Sequence, residues 1–448
     1  MTTTDIDRRL TASLPEVTSV AGTGWPWDQI LDASLDLPTV GALDDALCLE
    51  VAGWVVGSSR PVQAVNVVVD PFPPDGLRVL TVPVSVVRED VLARFPHLPA
   101  GQPCGFRTVL SLAGLPASFS VRIEAVFEDG VVERCLEIQG RHPLLDLGYR
   151  PSLDPLMVTS LGRTGTTWLM RLLGEHPQIA VHRAYPYEAR ACSYWMHAFD
   201  VLADPHHRDL ANKDEFHVHR AAVGHHPLHE TGWDDPAVYG WLRGEYLRQV
   251  GAFALTATDR FYTSIAEGNG CADARCFAEK FHVGHGRWFV RSLYDKVREI
   301  VLVRDPRDTF CSILAFNAKR GNIGFGRQEV STDDAFVENV RLDFSRLLAV
   351  VDADPATTHL VRYEDLILRP VDTLRELLEF AELDADDAVV EGAIQAASGD
   401  TRELAEHRTV GDAGASVARW RRDLPPELAK RCNERFEPIL ARLGYDLA

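Results

Sequence analysis

Pro155-Leu156-Met157-Val158-Thr159-Ser160-Leu161-Gly162-Arg163-Thr164-Gly165-Thr166-Thr167-Trp168-Leu169 begins as a short apolar run, turns through two glycines, and passes into Leu169-Met170-Arg171-Leu172-Leu173, which has helical apolar spacing. A buried strand, a Gly-containing turn and a helix in that order present backbone N–H groups to an anion. The unpaired N–H groups and dipole of the first helical turn add to the attraction. Thr166 and Thr167 contribute hydroxyl donors, and Arg163 contributes a fixed positive charge. The stretch reads as a phosphate cradle whose candidate contacts are Gly162, Arg163, Thr164, Gly165, Thr166, Thr167 and Trp168. It is not the nucleoside-triphosphatase loop, which needs Gly-Lys-Ser/Thr with the Lys on the outer phosphates. Thr166 stands where that Lys would be.

A second strand, Arg298-Glu299-Ile300-Val301-Leu302-Val303, is followed by Arg304-Asp305-Pro306-Arg307-Asp308 and a helix running through Ser312. Arg304 leaves the strand end and Ser312 lies about two helical turns further on. Together they can hold one more phosphate, so a ligand with two separated phosphates is implied. Arg304 can fork onto a phosphate with two parallel bonds. The alternative for it is a strand-end pair with Asp305 or Asp308.

The cradle and the Arg304…Ser312 pair resemble the two cofactor signatures of the sulfotransferases that use 3′-phosphoadenosine 5′-phosphosulfate (PAPS). That resemblance implies that the first loop holds the 5′-phosphosulfate and that Arg304 and Ser312 hold the 3′-phosphate, with 3′,5′-adenosine bisphosphate (PAP) as product. Leu360-Val361-Arg362-Tyr363-Glu364-Asp365-Leu366 is similar to the family segment whose Tyr lies near the adenine. His407-Arg408-Thr409-Val410-Gly411 and Ser416-Val417-Ala418-Arg419-Trp420 are similar to its late cofactor-covering loop. Tyr363, Ser416, Arg419 and Trp420 thereby join the candidate contacts. Core packing is the alternative for Tyr363 and Trp168, and helix-start packing for the late residues. The resemblance covers roughly residues 150–448. The implied fold is the P-loop sulfotransferase one, α/β with a central parallel sheet and flanking helices.

Sulfuryl transfer, like phosphoryl transfer, is governed by positioning and electrostatics. A base must take the acceptor proton, and a cation must neutralise the leaving phosphate oxygen. Glu188, in Tyr185-Pro186-Tyr187-Glu188, is the candidate base, resembling the Glu that some sugar-modifying members carry soon after the first helix; His182 is the second candidate. A salt-bridged surface carboxylate is the structural alternative for Glu188. Arg163 occupies a loop position where many relatives have Lys. It can stabilise an oxyanion but donates protons poorly, because its pKa stays very high. Lys280, in Phe277-Ala278-Glu279-Lys280-Phe281-His282, resembles a Lys that precedes the second motif in several members, and it is the other candidate cation; an ordinary surface lysine is its alternative.

The 448 residues divide by pattern into an N-terminal arm (1–45), a module of β-branched runs separated by turns (46–145), and the α/β region (150–448). The middle segment reads as a small antiparallel β-sandwich, similar to the immunoglobulin-like modules appended to bacterial glycan-modifying enzymes. Residues 190–275 lack clear strands and read as a helical and loop cap at the sheet's C-terminal edge, where such folds place ligands. Leu374–Phe380 and Leu428–Leu443 read as amphipathic helices.

The net charge of −19 argues against nucleic-acid binding. No apolar run has the length of a membrane span, and the N-terminal residues show no secretory signal. Eight scattered cysteines suit free thiols in a reducing cytosol. His206, His207, His217, His219, His225, His226 and His229, and Cys271…Cys276 with His282 and His285, lack the spacing of structural zinc sites, so no metal is expected. The expectation is a cytoplasmic PAPS-dependent sulfotransferase acting on a hydroxyl of a carbohydrate or glycosylated small metabolite. The alternatives are a small-molecule kinase with a degenerate loop and a non-catalytic glycan-binding protein. No motif sets the oligomeric state.

Overall fold

The computed structural model describes residues 14–22, 27–43, 47–72, 76–203, 235–284, 286–321, 323–399 and 414–447. It divides into two compact units: Met1–Arg150 with Cys192–Ala257 and His285–Asp295, and Pro151–Ala191 with Thr258–Gly284 and Lys296–Ala448.

The first unit is built on two antiparallel sheets. One has the order β3 (Gly41–Ala42), β1 (Glu16–Gly22), β10 (Val132–Arg141), β9 (Ser118–Phe127), β5 (Val62–Phe72), β6 (Gly76–Pro83). The other has the order β2 (Ile30–Leu37), β4 (Cys48–Gly57), β8 (Pro103–Ser111), β7 (Val86–Val87). In β9 the residues Phe119, Val121, Ile123, Ala125 and Phe127 are buried and alternate with the less buried Ser118, Ser120, Arg122, Glu124 and Val126. That period of two gives the sheet one core face and one wet face.

Two expectations are corrected here. Residues 1–45 are not simply an arm, because β1, β2 and β3 are strands of the two sheets. Bulges hide them in the sequence. The register shifts between Val17 and Ser19 in β1, and between Ile30 and Asp32 in β2. The extra residue puts Ile30 and Ala33, three apart, in the buried set, so no alternation is visible. Nor is 190–275 one cap of the α/β region, since Cys192–Ala257 groups with the antiparallel sheets. Glu50 of β4 ties it there, paired with Arg107 of β8 at 2.6 Å and with Arg243 at 3.1 Å. Both guanidiniums lie over the Tyr239 ring, 4.5 and 4.7 Å from its centre. Such a knot joins residues far apart in sequence and leaves no local signature.

The second unit holds a five-stranded parallel sheet in the order β12 (Ile179–Ala180), β13 (Cys276–Phe281), β11 (Asp154–Ser160), β14 (Arg298–Val303), β15 (Thr358–Arg362). All six residues of β13, and Pro155 to Thr159 of β11, are buried, as a sheet covered on both faces requires. One core cluster joins Leu169, Leu172 and Leu173 of α1 (Thr166–Gly174) to Leu374, Leu377 and Leu378. Another joins Phe310 of α2 (Pro306–Arg320) to Phe336 and Phe344 of α3 (Asp333–Ala353) and Phe436 of α4 (Pro426–Leu443). Register pairs Val158 with Lys280, Ser160 with Leu302, and Val303 with Arg362. The C-terminal ends of β11, β13, β14 and β15 therefore lie at one edge. This is where an open parallel sheet places its ligand.

Candidate active site

The chain leaves β11 at Ser160, turns through Leu161–Gly165, and enters α1 at Thr166. Gly165 caps the helix at φ +98°, in the left-handed region that costs glycine nothing. A side chain there would collide with the Tyr363 ring, and one at Gly162 would collide with the Phe325 ring. Two aromatics thus lie directly against the loop. Thr164 is buried and its Oγ1 donates to the Leu161 carbonyl at 2.9 Å, so this hydroxyl closes the turn. Thr166 and Thr167 occupy the first helical turn. Trp168 packs against the core, with its indole Nε1 buried and unpartnered among the described residues.

Arg163 has φ +70°, uncommon for a side-chain-bearing residue. Three contacts hold it. Its guanidinium lies 4.2 Å from the centre of the Phe316 ring, its Nε donates to Ser312 Oγ at 3.4 Å, and its carbonyl accepts from Arg304 Nη1 at 3.3 Å. Burial, then the neighbouring Arg304 charge, pushes its guanidinium down to about 10.

Arg304 follows β14 and is 4% exposed. It does not take the strand-end pair with Asp305, which is clasped by Arg307 at 2.7 Å instead. Arg304 donates to the carbonyls of Arg163 and Ser416, the latter at 2.6 Å, and lies 4.8 Å from the centre of the Tyr363 ring. Its Nε is buried with no partner among the described residues. Among the described residues its hydrogen bonds go to neutral carbonyls, so an anion is the natural complement for the remaining donor. The Tyr363 hydroxyl meets Ser416 Oγ at 2.9 Å. Arg163, Arg304, Ser312, Tyr363 and Ser416 therefore form one cluster. Arg419 and Trp420 flank it but turn elsewhere: Arg419 Nε donates to Asp423 at 2.7 Å, and the buried Trp420 packs under Arg307, 3.9 Å from its ring centre.

At the other end of the loop stands Lys280, 5% exposed, near the end of β13. Its ammonium donates to Thr167 Oγ1 at 3.2 Å, the Pro186 carbonyl at 2.7 Å and Glu188 Oε1 at 3.1 Å. It is no ordinary surface lysine. Burial holds its pKa below the usual lysine range, and the Glu188 charge offsets part of that. The Glu188 side chain is 43% exposed and its other oxygen lies 3.9 Å from Arg190. His182 packs 6.4 Å from the Phe261 ring, and its Nδ1 has no partner among the described residues.

Sequence reading missed the supports. The Tyr262 hydroxyl lies 2.5 Å from Glu279 Oε2 and 3.0 Å from the Ala189 carbonyl, fixing the segment after Glu188 to β13. Phe316 and Phe325 were missed as well; the Gly324-Phe325-Gly326 pattern was the available signal for Phe325. Behind Arg304 are buried Asp305, Asp308 and Glu364. Burial, partly opposed by the Arg304 charge, pushes the Asp308 carboxyl up to about 7. His206, His207, His217, His219, His225, His226, His229, His285 and His407–Gly411 lie outside the described residues. Among the described residues, no cluster of three or more His, Cys, Asp or Glu suits a metal ion, and no helix is long and apolar enough to cross a membrane.

Comparison with known proteins bears on this arrangement. The chain is 29% identical to mouse carbohydrate sulfotransferase 1 and 31% identical to mouse carbohydrate sulfotransferase 3, over 163 residues in each case. These stretches cover 34% of this chain and only 39% and 34% of the two relatives. Among solved structures, it is similar to the sulfotransferase domain from the curacin biosynthetic pathway (TM-score 0.40, 16% identity, 67% of this chain and 100% of that one). It is also similar to a mouse sulfotransferase complexed with PAP (TM-score 0.35, 15% identity, 66% and 87%). The family model described as "Sulfotransferase family" matches residues 155–387, just over half of the chain. That stretch contains the Leu161–Gly165 loop, Glu188, Lys280, Arg304, Ser312 and Tyr363, and on it this chain belongs to the sulfotransferase family.

Proposed function

We propose that this protein transfers a sulfuryl group from PAPS to a hydroxyl of a carbohydrate or glycosylated small metabolite. The observation that carries the reading is Arg304, a buried guanidinium that hydrogen-bonds to carbonyls, has an Nε without a partner among the described residues, and is linked through Arg163 to Ser312. Such a site suits a phosphate additional to the one at the loop. Gly162, Gly165, Thr166 and Thr167 would hold the 5′ end, Arg304, Ser312 and Ser416 the 3′-phosphate, and Tyr363 would lie near the base. Bound there, PAPS supplies the activated sulfuryl group.

The residues of the chain supply the rest. Glu188, open to solvent on one side, is placed to accept the acceptor's proton. Lys280 holds it at 3.1 Å. Lys280 also bonds Thr167, so positive charge stands between the base and the loop. With its pKa below the usual lysine range, Lys280 can also give a proton to the leaving oxygen.

The names of the two mouse relatives favour a carbohydrate acceptor. The kinase alternative is not favoured, since Thr166 replaces the lysine that such a loop needs. A cytosolic setting belongs to the same proposal: all eight cysteines are buried and none forms a disulfide. Calorimetric titration with PAP, AMP and Mg-ATP, on wild type and Arg304→Ala, tests the cofactor reading. Selective binding of PAP, lost in the variant, supports it; equal binding of all three ligands removes it. Consumption of PAPS with a panel of glycan and glycoside acceptors tests the substrate class.

A further inference from the structure

Asp308 plays no part in the chemistry described so far, yet its setting is unusual. It lies on the first turn of α2, one turn before Ser312, and is 0% exposed. Its Oδ1 accepts the backbone N–H of Trp420 at 2.9 Å, while Oδ2 is buried without a partner among the described residues. A carboxylate buried with half its acceptor capacity unused is costly, so its one bond invites a reason. Trp420 ends the segment that begins at Gly414. In that segment the Ser416 carbonyl takes Arg304 Nη2 at 2.6 Å, and the Ser416 hydroxyl meets Tyr363 at 2.9 Å.

We propose that Asp308 is a positioning residue of the second phosphate site: by fixing the Trp420 N–H to the helix that carries Ser312, it holds Ser416 where it aims Arg304 and Tyr363 at the ligand. The inference rests on the reading of Arg304 and Ser312 as that site. α2 then serves the site twice, through Ser312 directly and through Asp308 by way of Trp420. Asp308 faces Arg304, Asp305 and Glu364 from the ends of β14 and β15, and Cys311 on its own helix.

The test is calorimetric binding of PAP and AMP to wild type, Asp308→Ala and Asp308→Asn. Losing a hydrogen bond to a charged acceptor weakens PAP about tenfold in Asp308→Ala, with AMP changed less than about twofold. Asp308→Asn keeps an oxygen for the Trp420 N–H and restores PAP binding to within about twofold of wild type. An alanine variant that binds PAP normally, one that loses both ligands equally, or an asparagine variant as weak as alanine overturns the proposal. A wild type with no preference for PAP over AMP instead removes the phosphate-site reading beneath it. Hydrogen exchange at the Trp420 amide of the wild-type chain needs no folded variant. PAP should slow it and AMP should not; equal effects, or none with PAP, count against Asp308.

Discussion

The two clusters that meet beside the Leu161–Gly165 loop are built differently. Around Arg304 everything is enclosed: Arg304, Ser312, Tyr363 and Ser416 are all buried, and their mutual bonds are with carbonyls and hydroxyls. Around Lys280 only the cation is enclosed, and its carboxylate partner Glu188 faces outward. An ion pair with one buried and one exposed member keeps the lysine charged while leaving the carboxylate free to meet a second molecule. The closed end suits a ligand held for binding, whose charge must be matched within the fold. The open end suits a hydroxyl acceptor that arrives and leaves. The closed cluster meets the loop at Arg163 and Gly165, and the lysine meets Thr167 just beyond it.

The contrast can be broken most decisively at the open end. Glu188→Gln is expected to lower turnover by roughly 10²–10⁴-fold while leaving PAP affinity near wild type, read as initial rates with PAPS beside calorimetry. A fully active Gln variant would remove Glu188 from the mechanism. At the closed end the order reverses. Arg304→Ala should weaken PAP binding by about 10²-fold, the scale for truncating a buried charge contact, with a smaller loss for AMP. Equal losses for the two ligands would dissolve the distinction between the ends.

A finer test is the alkaline limb of the pH–rate profile. In the proposed mechanism Lys280 acts when protonated, and burial lowers its pKa. Turnover should therefore decline at a pH below the ordinary lysine value of 10.5. Lys280→Arg should carry the decline upward; an unmoved limb assigns it to another group.

The smallest effect concerns stability. The Asp308 carboxyl is raised from 3.8 to about 7 in the fold. The native state therefore binds the extra proton between those values. Its contribution is fully present below about pH 4 and is lost as pH rises through about 7. Asp308→Asn does not titrate, so its thermal midpoint should gain on wild type between pH 4.5 and pH 8. A constant difference in scanning calorimetry would contradict this.

Much of the site was legible because its motifs are local. Strand, glycine turn and helix follow one another within residues 155–173, and Arg304 to Ser312 is one strand end and two helical turns. The antiparallel strands β4, β5, β8 and β9 showed through their β-branched runs. β1 and β2 did not, because bulges break the alternation that reveals a half-buried strand. The helical residues between Cys192 and Ala257 could not be assigned to their unit, since Glu50, Arg107 and Arg243 meet only after folding.

The sequence by itself determined the order of strand, glycine turn and helix, and the spacing of Arg304 and Ser312, because each depends on residue type and near-neighbour geometry. Only the tertiary structure decided that Lys280 reaches Glu188 across 92 residues and Thr167 across 113, and that Asp308 reaches Trp420 across 112. Those contacts are set by the register of parallel strands, Val158 against Lys280, and by helix packing at one sheet edge. Such pairings are made between distant segments, and no local pattern encodes them.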